Sequence, residues 1–219
     1  MSDANELPKE VAPPASRLAS RLEPGAPRGG LKPILDELGE VDLAVYRAIA
    51  TTPTPHLDEP MRRLTGLANH SKLWLGAAAV MATVGGRTGR RVAAAGVVAL
   101  GINSLIVNVP LKIVARRTRP DRDAAQVPLA RQVAMPLSPS FPSGHSASGF
   151  AFAAAVGGTL PVTAAPLRLV ASAVAYSRVH TGVHYPGDVI VGALIGTTIG
   201  EGVAVVSRWL DHRRSSRPA

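Results

Sequence analysis

The feature that most constrains this chain is the run from Val92 to Leu111, which holds 20 residues and no charged side chain. A helix of about 20 apolar residues is long enough to cross the hydrocarbon core of a bilayer. A second charge-free run covers residues 146–165, and further apolar segments lie at 72–86, 167–177 and 189–209. The sequence therefore predicts an all-α, integral-membrane helical bundle of about five transmembrane helices.

The first 70 residues differ from the rest of the chain because they are polar and rich in proline. Residues 1–30 have the composition of a disordered N-terminal tail. Apolar residues then recur at helical spacing in 34–50 and in 58–68, and these segments are too short to span a bilayer. We therefore predict short N-terminal amphipathic helices, a membrane domain over 31–210 and a basic C-terminal tail over 211–219.

The chain has no cysteine and a net charge of +9. Its basic residues are divided among short loops and tails between apolar runs, a distribution typical of loops that flank membrane helices. We therefore expect the lipid bilayer as a partner and no nucleic acid, while the oligomeric state is left open. Four of the arginines are interpreted as loop charges near lipid headgroups: Arg116, Arg117, Arg122 and Arg131.

Three polar clusters interrupt the apolar pattern, at 112–120, 142–145 and 177–188. The span that ends at Leu111 and the span that begins near Ser146 have these ends on the same face of the membrane. The span that ends near Ser177 and the span that begins near Asp188 also have these ends on that face. Counting spans therefore predicts that all three clusters converge on one surface.

The clusters contain three cations without an equal number of nearby carboxylates. Arginine offers a planar fork that matches phosphate oxygens, and lysine adds a compact charge. The second cluster opens a helix, so backbone N–H groups there point at a bound anion. Together these groups predict a cradle for a phosphoryl group. Its candidate ligands are Lys112, Arg119, Ser143, Gly144 and Arg178.

Two histidines supply the chemistry that such a cradle lacks. A neutral imidazole can attack phosphorus and form a covalent intermediate. Asp188 lies four residues after His184, one helical turn away, where it can hold one ring nitrogen as N–H and leave the other free. His145 lies at the mouth of the cradle and can donate a proton to the leaving oxygen. The candidate catalytic residues are therefore His184, His145 and Asp188.

The strings Lys112-x6-Arg119-Pro120, Pro142-Ser143-Gly144-His145 and Ser177-Arg178-x5-His184-x3-Asp188 resemble the three-part signature of the type 2 phosphatidic acid phosphatase family. That superfamily also includes glucose-6-phosphatase and the vanadium haloperoxidases. The resemblance covers about residues 40–210 and implies a helical membrane phosphatase that needs no metal. By position it also implies the same site roles: nucleophile His184, its partner Asp188, general acid His145 and the five phosphate ligands.

The predicted function is hydrolysis of a phosphomonoester or diphosphate of a membrane lipid, of the phosphatidic acid or polyprenyl phosphate type, through a phosphohistidine. No cofactor and no metal site are expected, because only Asp121, Asp123 and Asp188 lie near the histidines and metal phosphatases bring several carboxylates. Two alternatives are a haloperoxidase-like enzyme that holds vanadate and a catalytically silent protein that binds lipid phosphates.

The predicted location is the cell membrane, with several spans and an extracytoplasmic active site. In that orientation the basic loop Arg87–Arg91 and the basic C-terminal tail lie in the cytoplasm, as the positive-inside tendency requires.

Overall fold

The computed structural model describes residues 13, 15–16, 19–20, 31–111 and 116–216. From residue 31 onward these residues form seven α-helices: α1 (Leu31–Thr51), α2 (Pro55–Leu67), α3 (Lys72–Val84), α4 (Gly86–Ile106), α5 (Gly144–Thr159), α6 (Ala164–His180) and α7 (Pro186–Ser215). Short 3-10 turns cover Asn69–Ser71, Leu129–Arg131 and Pro161–Thr163, and a π-helical turn covers Val107–Leu111. The described residues contain no strand, which confirms the all-α prediction.

The two amphipathic helices predicted before the spans are present as α1 and α2. Proline at the first position of α2 suits a helix start, because its missing N–H would have no intrahelical partner there. Tyr46 and Ala50 of α1 are buried in one apolar cluster with Val179 of α6 and Val189 of α7. The first helix is thus packed against the bundle. The predicted disordered tail falls almost entirely outside the described residues.

Helix α5 lies at the centre of the bundle and packs on α4, α6 and α7. Its contact with α7 depends on glycine. A Cβ at Gly196 would lie 2.1 Å from the carbonyl oxygen of Ala147, and one at Gly200 would lie 2.3 Å from that of Ala151. Small residues at four-residue spacing let two membrane helices approach closely. These glycines therefore serve helix packing.

Two helices are long and apolar enough to cross a membrane, Gly86–Ile106 and Pro186–Arg213, within the part of the chain that the structure describes. The central helix α5 has 16 residues, a rise of about 24 Å, which is shorter than a hydrocarbon core of about 30 Å. The count of five spans therefore stays a prediction. Helix α7 continues to Ser215, so the segment predicted as a C-terminal tail begins as helix.

The connections at one end of the bundle carry the polar clusters. The long segment between α4 and α5 meets the turn at 181–185 between α6 and α7. Hydrogen bonds join the long segment to this turn and to α7: Arg119 NH1 donates to the Val183 carbonyl at 2.6 Å, and Ser143 N donates to the carbonyl of Asp188 in α7 at 3.0 Å. The predicted convergence of the clusters on one face is confirmed for their described parts.

Candidate active site

His184 and Asp188 lie side by side at the turn into the last helix. Asp188 is at the third position of α7, and Tyr185 and Pro186 form the start of that helix, as predicted. The His184 Nδ1 atom lies 3.4 Å from Asp188 Oδ2. The same oxygen accepts the Tyr185 backbone N–H at 2.9 Å. Both side chains are buried, so the carboxylate holds the imidazole where water competes little for the contact.

Ser140 is a member of this site that the sequence analysis missed. Its hydroxyl donates to Asp188 Oδ2 and lies 3.4 Å from His184 Nδ1. The residue is fully buried. It therefore fixes the carboxylate from the loop that precedes α5. The sequence holds only a weak signal for it, a serine three residues before the helix cap in a proline-rich segment.

Burial, together with the positive charges of Arg178 and Arg119, lowers the pKa of the His184 imidazole to about 4. The contact with Asp188 opposes this shift. Because the ordinary pKa of histidine is near 6.5, the ring is neutral at pH 7. A neutral ring whose Nδ1 faces a carboxylate keeps its hydrogen on Nδ1 and presents a lone pair at Nε2.

Arg119 faces that second nitrogen. Its NH1 atom lies 3.3 Å from His184 Nε2 and donates to the carbonyl of Val183 at 2.6 Å. Its Nε donates to the Ser138 carbonyl at 2.8 Å. These contacts place the guanidinium beside the nitrogen that is free to react. An anion at this edge of the ring would be attracted by a fixed positive charge.

Arg178 is the second cation near His184. It is buried at the end of α6, where NH1 donates to the hydroxyl of Thr65 in α2. Its buried Nε atom has no protein partner within the described residues. A buried donor without a partner is costly. Arg178 also lines a cavity of about 450 Å³, so its positive charge lies beside the space where a ligand would bind.

The second cluster caps α5 and borders the same cavity. Ser143 is the N-cap, and its hydroxyl accepts the N–H of Ser146 at 3.5 Å. Gly144 and His145 line the cavity together with Arg178. His145 Nε2 lies 2.9 Å from the Asn69 side-chain oxygen. Because the amide oxygen of Asn69 can only accept a hydrogen bond, His145 Nε2 carries the hydrogen in this contact. Asn69 is a second residue that the sequence analysis missed.

Seven of the eight predicted site residues belong to this end of the bundle. The structure brings His184, Asp188 and Arg119 into direct contact, and it places His145, Gly144 and Arg178 around one cavity. Ser143 is tied to Asp188 through the backbone. Lys112 lies outside the described residues, so its predicted role as a phosphate ligand stays a prediction.

The interpretation of the loop arginines was wrong for three of them. The Arg131 guanidinium is buried and contacts Asp58 at 2.7 Å, together with backbone carbonyls at the end of α1. Arg122 donates to the carbonyls of Gly182 and Val133. Arg117 contacts Asp188 itself at 2.9 Å. The enrichment of basic residues in loops beside membrane helices predicts where arginines occur in the sequence. It does not predict which arginines donate hydrogen bonds to buried acceptors.

His180 is a structural residue. It is buried, and its Nε2 atom lies 3.1 Å from Asp58 Oδ1, the same oxygen that Arg131 contacts. Within the described part of the chain, no group of three or more His, Cys, Asp or Glu side chains is placed to hold a metal ion.

Comparison with known proteins agrees with this site. Residues 92–212 match the family model of the PAP2 superfamily. The decaprenylphosphoryl-5-phosphoribose phosphatase of Mycobacterium tuberculosis, strains H37Rv and CDC 1551, is 35% identical over 163 residues, which cover 74% of this chain and 87% of that protein.

Two solved structures share the fold. The Aquifex aeolicus LpxE crystal structure has a TM-score of 0.56 and 27% identity, over 76% of this chain and 94% of that one. A transmembrane PAP2-type phosphatidylglycerolphosphate phosphatase from Bacillus subtilis has a TM-score of 0.58 and 23% identity, over 92% and 96%. The chain belongs to the PAP2 superfamily and is a phosphatase.

Proposed function

We propose that this enzyme removes the terminal phosphate of a membrane lipid without a metal, through a phosphohistidine at His184. The observation that carries the proposal is the placement of the His184 ring. Asp188 lies at Nδ1, and a guanidinium lies at Nε2. This is the arrangement that an imidazole nucleophile for an anionic substrate requires.

In the first step, the His184 Nε2 lone pair attacks phosphorus and the bond to the lipid oxygen breaks. His145, as the doubly protonated imidazolium, donates its Nε2 hydrogen to that oxygen as the alcohol leaves and becomes neutral. Arg119 and Arg178 stabilise the charge on the phosphoryl oxygens, and Lys112 is proposed to join them. In the second step, His145 takes a proton from water. The resulting hydroxide attacks phosphorus, the N–P bond breaks, and inorganic phosphate leaves.

For the substrate, we propose a phosphorylated sugar carried on a polyprenyl phosphate, the class named for the mycobacterial relative. The cavity beside His145 supports this class because polar side chains line it. Its walls carry the hydroxyls of Thr65, Ser71 and Ser148 and the amide of Asn69. Such groups pair with sugar hydroxyls, whereas an acylglycerol headgroup offers few of them.

The direct test is phosphate release by purified protein in detergent, with chelator present, from polyprenylphosphoryl phosphoribose, phosphatidic acid and phosphatidylglycerol phosphate. We expect the phosphoribose lipid to give the highest kcat/KM. His184→Ala should abolish release, while the matched control His56→Ala, at an exposed histidine of α2, should retain it. A native protein that binds these lipids and releases no phosphate would contradict the proposal.

We also propose that the enzyme has several spans and that its active site faces away from the cytoplasm. The support is charge: Arg87, Arg90 and Arg91 begin α4 at the end remote from the site, and Arg91 pairs with Asp211 near the end of α7 at 3.6 Å. Single cysteines at the exposed positions Thr88 and Ala130 test this. An impermeant thiol reagent on intact cells should label residue 130 and not residue 88. The reverse pattern would overturn this orientation.

A further inference from the structure

Asp42, in the middle of α1, reaches the first turn of the last helix. Its Oδ1 atom accepts the backbone N–H of Gly187 at 2.6 Å. The side chain is mostly buried, with 11% of its surface exposed. A Cβ at Gly187 would lie 3.1 Å from the Asp42 carboxylate, so the glycine permits this approach. An acidic group at a helix N-terminus also interacts favourably with the helix dipole.

Arg117 bridges Asp42 to the site. Its NH2 atom contacts Asp42 Oδ2 at 2.6 Å, and its NH1 atom contacts Asp188 Oδ1 at 2.9 Å. The guanidinium also stacks on the Tyr185 ring, 4.2 Å from the ring centroid. Arginine suits this position because its planar fork presents separate N–H groups to two acceptors.

The contact with Arg117 determines the orientation of the Asp188 carboxylate. Arg117 occupies Oδ1, which leaves Oδ2 for His184, Ser140 and the Tyr185 N–H. The carboxylate is fully buried, so water does not compensate for a lost contact. Without Arg117, the carboxylate could rotate and the imidazole would lose its fixed direction.

We propose that Asp42 and Arg117 are positioning residues that hold the Asp188 carboxylate against His184, which makes the N-terminal helix α1 part of the catalytic apparatus. This inference rests on the proposed role of His184. It follows from two ion pairs and one helix-capping contact that link residues 42, 117, 187 and 188. None of these contacts touches the cavity that receives the substrate, so the effect is expected on turnover and not on binding.

The contact between Arg117 and Asp188 also affects the balance of charges around His184. His184 faces Asp188 from α7, Arg178 from α6 and Arg119 from the loop before α5, and the hydroxyl of Ser140 lies at its Nδ1 atom. Arg117 partly neutralises Asp188. Removal of that positive charge strengthens the attraction of Asp188 for a protonated imidazole. The acid limb of kcat/KM should then move to higher pH.

The experiment compares Asp42→Asn, Arg117→Met, the double variant and Asp36→Asn in the assay of phosphate release. Asp36→Asn is the matched control, because Asp36 lies on the same helix with its side chain exposed. For both single variants we expect kcat to fall about 10–100-fold, as for other residues that orient a ligating or catalytic group, with KM unchanged. Arg117→Met should also move the acid limb upward.

The double variant should lose no more activity than Arg117→Met alone, because both residues act through one bridge. Three results would overturn the inference. The first is that Asp42→Asn has the same kinetics as Asp36→Asn, and the second is that a rise in KM accounts for the loss of kcat/KM. The third is that the activity losses of the two single variants add fully in the double variant. If Arg117→Met does not fold, the nearly isosteric Asp42→Asn decides by its effect on kcat and KM. A native protein without turnover would instead refute the proposed function.

Discussion

His184 Nδ1 lies 3.4 Å from Asp188 Oδ2, one helical turn further along the chain, and both side chains are buried. The sequence spacing of four residues places the partner, and the tertiary structure removes water from around it. The carboxylate therefore acts on the direction and tautomer of the ring.

Asp188→Asn should lower kcat about 10⁴-fold, the effect of the equivalent change in a serine-protease triad. The amide can present N–H to Nδ1 and so stabilise the wrong tautomer. KM should change little, because Asp188 lies behind the ring and not at its reactive edge. Steady-state phosphate release measures both constants. Activity within tenfold of the native protein would show that the carboxylate does not set the tautomer.

The pH dependence should reflect the pKa of His184, which burial lowers to about 4. Protonation removes the lone pair, so kcat/KM should be preserved above the folded-state pKa and fall as pH drops through about 4. The substrate phosphate titrates near pH 6, and its limb is identified separately by titrating the free lipid phosphate in the same detergent. An enzymatic limb near 6.5, the ordinary histidine value, would contradict the buried neutral ring.

His145 should matter most when the leaving group is poor. A lipid alcohol needs a proton as it leaves, whereas p-nitrophenolate does not. His145→Ala should therefore reduce turnover of the lipid by about 10²–10⁴-fold, the range for general acid catalysis, and reduce the first step with p-nitrophenyl phosphate far less. Burst kinetics with the second substrate isolate that step. Equal losses on both substrates would remove the general-acid role.

The buried pair Arg131–Asp58 should contribute to stability rather than to chemistry. Arg131 also donates to carbonyls at the end of α1, so its removal leaves several buried acceptors without a donor and takes from Asp58 the guanidinium that pairs with it beside His180. Breaking such a pair costs about 3–5 kcal/mol. Arg131→Met should lower the unfolding temperature in detergent by several degrees.

The matched control for Arg131 is Arg63→Met. Arg63 pairs with Glu59 on the surface at 2.6 Å with 76% of its side chain exposed, and exposed pairs contribute about 0–1 kcal/mol. Thermal unfolding curves of the two variants should therefore separate clearly. Equal unfolding temperatures would show that Arg131 has no structural role.

Much of the fold was predictable from periodicity and charge. The amphipathic segments 34–50 and 58–68 match α1 and α2, and the uncharged runs 92–111 and 146–165 cover most of α4 and α5 but extend past their C-terminal ends. The ends of the helices were less predictable. Helix α4 begins at Gly86 and has arginines in its first turns, so an uncharged run does not mark its start. The number of spans depends on a bilayer and on helix lengths, which composition alone does not determine.

The site was predictable where its residues are close in sequence or share a phosphate-binding chemistry. His184 and Asp188 are one turn apart, and Arg119 and Arg178 are cations at helix-flanking positions. Ser140, Asn69, Arg117 and Asp42 were missed because their roles come from long-range contacts. Asp42 lies 75 residues from its partner Arg117 and 145 from Gly187, so no local pattern connects them.

The central claim is that His184 carries the phosphoryl group during turnover. Rapid acid-free quenching of the enzyme with a ³²P-labelled lipid phosphate measures this directly, with His145→Ala included to slow the second step. The account predicts a labelled protein whose label is stable in alkali and lost in acid, maps to the peptide containing His184 and is missing in His184→Ala. Phosphate release by the native enzyme with no label on the protein, or with label in the His184→Ala variant, would contradict it.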